Sequence, residues 1–165
     1  MKPIRFLRHL LLPDWFVRRV FVRGDLAVIG DAIAASEKSH RGELRFVVEA
    51  AMPLAALWRD QSPRARAVDL FSTLRVWDTA ENSGILIYVQ LVEHRVEILA
   101  DRGIAARVPQ VEWDAICREM ETSFRQGQWR DGALRAVTRA GALLAQHFPA
   151  GANNPDELPD QPLLL

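Results

Sequence analysis

The stretch Asn82-Ser83-Gly84-Ile85-Leu86-Ile87-Tyr88-Val89-Gln90-Leu91-Val92-Glu93-His94-Arg95-Val96-Glu97-Ile98-Leu99-Ala100-Asp101-Arg102-Gly103 decides the fold. Asn82-Ser83-Gly84 is turn chemistry, and the run Ile85 to Val92 is short, rich in β-branched residues and apolar at odd and even positions alike. Such a run predicts a central strand covered on both faces. After Glu93-His94-Arg95, Val96 to Ala100 alternates apolar residues with Glu97. The connection is too short for a crossover, so the two strands form an antiparallel hairpin.

Working outward, Leu44 to Ala51 predicts a further strand, partly buried, with Arg45 and Glu49 as polar positions and Met52-Pro53 as its end. Asp25 precedes Leu26, Ile29 and Ile33 at helical spacing, with Gly42 as the left-handed stop. Ser62-Pro63 reads as an N-cap followed by proline at the first helical position, opening a helix that runs to about Trp77. Trp113, Ile116, Cys117, Met120 and Phe124 share one face of another helix. Past Gly127, a helix from Arg130 to His147 carries the small residues Ala133, Ala136 and Ala140, which permit close packing. The expected fold is α/β: a small mixed sheet with an antiparallel hairpin, flanked by about four helices in the order α-β-α-β-β-α-α.

Three segments follow. Residues 1–23 form a basic, apolar amino-terminal segment, 24–148 the α/β domain, and 149–165 a tail with four prolines, three acids and no base, a composition expected to stay disordered. At 165 residues and 49% hydrophobic content the chain suffices for one core, and its single cysteine excludes an internal disulfide. With 21 Lys plus Arg against 21 Asp plus Glu there is no global field to draw nucleic acid, and no nucleic-acid partner is expected. No run reaches the roughly 18 apolar residues of a spanning helix, and Leu10-Leu11-Leu12 is too short for an export signal. A cytoplasmic location is expected.

The element order from Asp25 to Phe148 resembles the TPM domain, a phosphatase-like α/β family. Asn82-Ser83-Gly84 leading into Ile85-Leu86-Ile87-Tyr88-Val89 is similar to the family's Asp-Asn-Gly turn and apolar strand. Val96 to Gly103 matches its second hairpin strand and glycine bend, and Phe124 to Gly132 its glycine-punctuated break between helices. The resemblance implies a domain for which calcium binding and acid-phosphatase activity have been proposed, and which in some members is a non-enzymatic auxiliary of membrane complexes. This chain departs from the pattern: Asn82 and Ser83 replace the turn's Asp and Asn, and Ala105 stands where an acid often follows the second bend.

An antiparallel hairpin brings the loop of Asp78, Thr79, Glu81, Asn82 and Ser83 beside Asp101 and Arg102. Asp78, Glu81, Asn82 and Asp101 offer the oxygens that Ca²⁺ or Mg²⁺ takes, without EF-hand spacing. For phosphoryl chemistry Arg102 is the candidate cation and Asp78 or Asp101 the candidate base or ligand. No phosphate loop, H-E-x-x-H or Gly-x-Ser-x-Gly motif occurs. Cys117 is expected in the core. His9, His40, His94 and His147 are expected at exposed element ends, and Glu49 and Glu97 as polar positions of half-exposed strands.

The amino-terminal segment sets Lys2, Arg5, Arg8, Arg18, Arg19 and Arg23 against Asp14 alone, interleaved with Ile4, Phe6, Leu7, Leu10, Leu11, Trp15 and Phe16. Such a segment suits an anionic membrane surface or a membrane-protein partner. Two functions follow as expectations: an interaction domain docked through Met1 to Arg23, and a divalent-metal-dependent phosphatase acting on phosphomonoesters at the hairpin edge.

Overall fold

The computed structural model describes residues 3–11, 19–151 and 156–165. Its elements are helices α1 (Pro3–Leu11) and α2 (Arg23–Glu37), strand β1 (Glu43–Glu49), helices α3 (Leu54–Trp58) and α4 (Pro63–Thr73), strands β2 (Gly84–Gln90) and β3 (Arg95–Ala100), helices α5 (Arg102–Ala105), α6 (Gln110–Arg125) and α7 (Trp129–His147), and strand β4 (Leu163–Leu164). The sheet runs β3-β2-β1-β4. β1 and β2 are parallel, with Glu43 opposite Gly84 and Glu49 opposite Gln90, and β2 and β3 form the antiparallel hairpin, with Ile85 opposite Ala100. The mixed α/β fold expected from the hairpin is the observed one.

Both faces of the sheet are covered, which explains the unbroken apolar run of β2. Leu44, Phe46, Val48, Ile85, Ile87 and Val89 point into the larger core beneath α2, α6 and α7. Val47, Leu86 and Tyr88 point to the opposite face, where they meet Ala67 and Leu70 of α4 together with Leu158. Every residue of β1 is buried, including Glu43, Arg45 and Glu49, which alternate onto the α4 face. The expectation of a partly exposed β1 is therefore corrected: a second layer covers it, and its polar side chains are paired inside.

Ser62 caps α4 by accepting a bond from Ala65 N (3.1 Å), and the helix ends at Thr73 rather than Trp77 because Arg75 takes a left-handed conformation at φ 54°. Gly42 is not a left-handed stop. A Cβ there would lie 2.3 Å from Leu144 Cδ2, so glycine serves close packing against α7, and α2 ends five residues earlier at Glu37. Gly127, at φ 75°, does supply the left-handed turn between α6 and α7.

The tail is the larger correction. Leu163–Leu164 add to β1 as a parallel strand, Leu165 N donates to Val48 O (2.9 Å), and Ala50 N donates to Leu165 O (3.1 Å). Leu158 is buried, and Arg45 Nη1 donates to the carbonyls of Pro159 and Gln161. Composition argued for disorder, yet the open edge of β1 and a buried guanidinium need main-chain partners, and residues 156–165 supply them. Asn153 and Asn154 lie outside the described residues.

Candidate functional site

Of the residues expected at the hairpin edge, Asn82, Asp101 and Arg102 come together. Asn82 adopts φ 52°, its carbonyl accepts from Gly103 N (2.9 Å), and its side-chain oxygen accepts from Arg102 Nε (2.9 Å). Asp101 caps α5 by accepting from Arg102 N (2.7 Å). Its other oxygen, Oδ2, is buried and has no hydrogen-bond partner among the described residues. Gly103 makes the corner close: a Cβ there would stand 2.4 Å from Glu81 O and 2.6 Å from Asn82 O. The side chains of Glu81 and Asp78 engage elsewhere, Glu81 with Arg41 (2.7 Å) and Asp78 with Arg75 (3.9 Å).

A second polar cluster sits at the start of β1. Glu37, Asp156 and Asp160 bring one carboxylate oxygen each within 4.8 Å of one another. Glu37 accepts from Leu44 N (3.0 Å) and Glu43 from Leu158 N (3.0 Å). Burial, reinforced by a side-chain bond to Asp160, pushes the Glu37 carboxyl up to about 9, and burial pushes Glu43 up to about 7. At neutral pH Glu37 therefore carries a proton beside Asp160. Asp160 Oδ1 is buried with no hydrogen-bond partner among the described residues. The Asp156 and Asp160 carboxylates, joined by Glu37 once it gives up its proton, suit a hard cation, with backbone carbonyls and water to complete six or more ligands. Sequence reasoning missed this cluster because two of its acids lie in the supposedly disordered tail. The available signal was the charged Glu43 and Arg45 at the start of an apolar run, Phe46 to Val48.

Two histidines are buried, contrary to the expectation of exposed ends. His40 Nδ1 donates to Gly42 O (2.9 Å), so Nε2 accepts from the Ser36 hydroxyl (2.9 Å). Burial lowers its pKa and keeps it neutral. A Cβ on Gly141 would lie 2.0 Å from Ser36 Oγ, so this Ser-His pair is a packing contact between α2 and α7. His9 Nδ1 accepts from Met52 N (3.0 Å), and its Nε2 then donates to Glu93 Oε1 (3.0 Å).

Glu49 and Glu97 do not pair, since their strands are separated by β2. Glu49 is buried, accepting from Arg66 Nε (3.0 Å), Arg66 Nη2 (2.6 Å) and the Tyr88 hydroxyl (2.6 Å). Glu97 is half-buried beside Arg64 (3.5 Å). Burial pushes the Cys117 thiol up to about 12, so it is a packing group and not a thiolate.

The amino-terminal segment forms a third candidate. α1 is fastened to the body through Arg5, which donates to Glu93 Oε1 (2.7 Å) and Asp60 Oδ1 (3.0 Å), through His9, and through Phe6, which packs on Met52, Ala56 and Leu57. Its other side carries Ile4 (70% exposed), Leu7 (52%), Leu10 (60%) and Leu11 (70%). Trp58, 65% exposed, stands edge-on to Phe6 at 6.0 Å between ring centroids. Phe21, near the segment's end, is buried among Phe46, Phe124 and Trp129. Trp15, Phe16 and Arg18, which the sequence also assigns to a surface-binding segment, lie outside the described residues. No helix among the described residues is long and apolar enough to cross a membrane.

Comparison with known proteins places this arrangement. The BA42 protein from the psychrophilic bacterium Bizionia argentinensis is similar over 88% of this chain and 95% of its own, at 29% identity and a TM-score of 0.77. The N-terminal domain of a protein from P. gingivalis shares the fold over 85% of this chain and 94% of its own, at 16% identity and a TM-score of 0.61. No curated protein matches the chain. The profile of the TPM domain matches residues 18–143, most of the sequence, and the chain belongs to the TPM domain family.

Proposed function

We propose that this TPM domain is a non-catalytic interaction module that docks through the outward face of α1. One observation carries the reading: a helix fastened to the body by Arg5, Phe6 and His9 turns four aliphatic side chains to solvent. Aliphatic residues on the free side of a fastened helix contribute little to the fold, and a contiguous exposed set marks an interaction surface. Two of the candidate catalytic groups, by contrast, make local structural bonds, since Asp101 caps α5 and Arg102 holds Asn82, while Asp78 sits apart from them in a solvent-exposed pair with Arg75. Replacing Ile4, Leu7 and Leu11 together by Ser tests the reading. Unfolding free energy should change by no more than about 0.5 kcal/mol per site, as at exposed positions, while binding of an apolar-surface dye falls. A loss above about 2 kcal/mol per site would assign the face to the core instead, since that is the scale of aliphatic burial.

A second reading, a site for Ca²⁺ or Mg²⁺ that supports phosphomonoester chemistry, is favoured by the converging oxygens of Glu37, Asp156 and Asp160 and the orphaned Asp160 Oδ1. Amide NMR titration with each ion locates it without assuming a substrate. Saturable shifts at Leu44, Leu158 and Asp160 would put the ion at the start of β1, and shifts at Asp78 to Gly84 and Asp101 to Gly103 would put it at the hairpin edge. No shifts at millimolar metal would remove this reading.

A further inference from the structure

Resting on the docking reading above, we infer that the occupant of the α1 face is an anionic membrane surface. At 100° per residue, Ile4, Leu7, Leu10 and Leu11 fall within an arc of about 120°, opposite the side on which Arg5 and His9 hold the helix to the body. Trp58 extends the apolar surface past Phe6, which neighbours Leu10 one turn on. Trp and aliphatic residues on one side with bases at the margin are the composition of helices lying in the headgroup boundary.

Charge names the kind of surface. Arg8 lies at the border of the arc, exposed, and no acid among the described residues pairs with it. Arg59, next to Trp58, is exposed and unpaired in the same sense. Arg5 engages both Asp60 and Glu93, offsetting one of their two charges, and Arg8 and Arg59 outweigh the other, so these five side chains sum to +1. Among the described residues, an apolar patch flanked by free guanidinium groups, with its neighbouring carboxylates paired to Arg5, complements anionic headgroups.

Size argues for lipid over protein. α1 has nine residues and is about 13 Å long. A stable protein interface takes about 20–30 residues a side. A bilayer needs only that an apolar face sink about 5–10 Å into the headgroup boundary. Nine residues fall well short of the about 20 that span a membrane, so the helix lies on the surface and does not cross it.

The test uses the full chain and co-sedimentation with vesicles of phosphatidylglycerol mixed with phosphatidylcholine, beside vesicles of phosphatidylcholine alone. The expected result is binding to the anionic vesicles that weakens as salt rises from about 0.05 M to about 0.5 M. Arg8→Gln should weaken it about 5-fold, the effect of one base near an anionic surface. Leu7→Asp with Leu11→Asp should abolish it, while Leu7→Met preserves it. Absence of binding to the anionic vesicles, or binding unchanged by the paired Asp substitutions, overturns the lipid proposal. If the chain instead forms a dimer that Leu7→Asp dissociates, the lipid proposal falls and docking through α1 stands. If it binds neither vesicles, nor itself, nor an apolar dye, both fall.

Discussion

Replacing Arg66 by Met should cost about 3 kcal/mol of folding stability, and the structure explains why a surface-lying arginine matters so much. The Glu49 side chain is 2% exposed and that of Arg66 is 19% exposed. Two of the three hydrogen-bond donors to this carboxylate belong to Arg66, and the third is the Tyr88 hydroxyl. Removing the guanidinium strands a buried carboxylate, which costs about 3–5 kcal/mol when one partner of a buried pair is lost. Because Arg66 keeps some contact with water, the lower end applies. Tyr88→Phe removes a single bond to a charged group and should cost about 2 kcal/mol. Replacing Glu49 and Arg66 together by Met leaves no charge to strand and should cost much less than Arg66→Met alone. Urea unfolding of Arg66→Met, Glu49→Met and the double variant measures the coupling directly. An Arg66→Met cost below about 1 kcal/mol, or a double variant as unstable as the sum of the singles, would refute the claim that this pair ties α4 to the sheet.

The tail, the acidic cluster and the hairpin corner each give a further prediction. Deleting Leu163 to Leu165 should speed hydrogen exchange at Ala50, whose amide donates to Leu165 O, and leave Ile87 at the sheet centre protected; equal protection with and without the three leucines would show that β4 contributes nothing. For Glu37 and Glu43 the folded state raises the pKa of an acid, so their neutral forms are favoured and the associated stability is complete below about pH 4.5. It is lost as pH rises through about 7 for Glu43 and about 9 for Glu37. Urea midpoints should therefore fall from pH 5 to pH 9, and Glu37→Gln should flatten the upper part of that fall; an unchanged slope would dissociate it from Glu37. Gly103→Ala should cost about 1–3 kcal/mol by forcing the hairpin end away from α5, because the added methyl meets two backbone carbonyls that cannot rotate aside; a melting temperature equal to the parent's would contradict that packing.

The parts of the fold that could be read in advance are those whose cause is local. Ile85 to Val92 is apolar on both faces because both are covered, and Ser62-Pro63 caps α4 wherever that helix packs. What could not be read depends on partners distant in sequence. Arg45 is tolerable inside β1 only because the carbonyls of Pro159 and Gln161, more than a hundred residues away, receive it. His9 is buried because Glu93 and the Met52 amide meet its two nitrogens, a placement that no spacing within 1–23 encodes. For the candidate site the same division holds. Hairpin geometry correctly juxtaposed Asn82, Asp101 and Arg102, whereas the convergence of Glu37 with Asp156 and Asp160 required the tail to return to β1.

The two surfaces singled out lie at opposite ends of β1, and this separation has a functional consequence. From Glu43 to Glu49 the strand covers six steps of about 3.3 Å, or about 20 Å. The acidic cluster meets the first end, where Leu44 N donates to Glu37, and α1 meets the second, where Met52 N donates to His9. In the proposed docking on an anionic surface, Arg8 is attracted while Asp156, Glu157 and Asp160 are repelled, which favours the orientation with α1 against the surface and the acidic end toward solvent. At about 20 Å the Debye length of about 8 Å in physiological salt leaves little direct coupling between the ends. Leu7→Asp and Glu37→Gln should therefore act additively, the first on association and the second on the pH dependence of unfolding. A combined variant in which Glu37→Gln alters vesicle binding would mean instead that the acidic end takes part in docking.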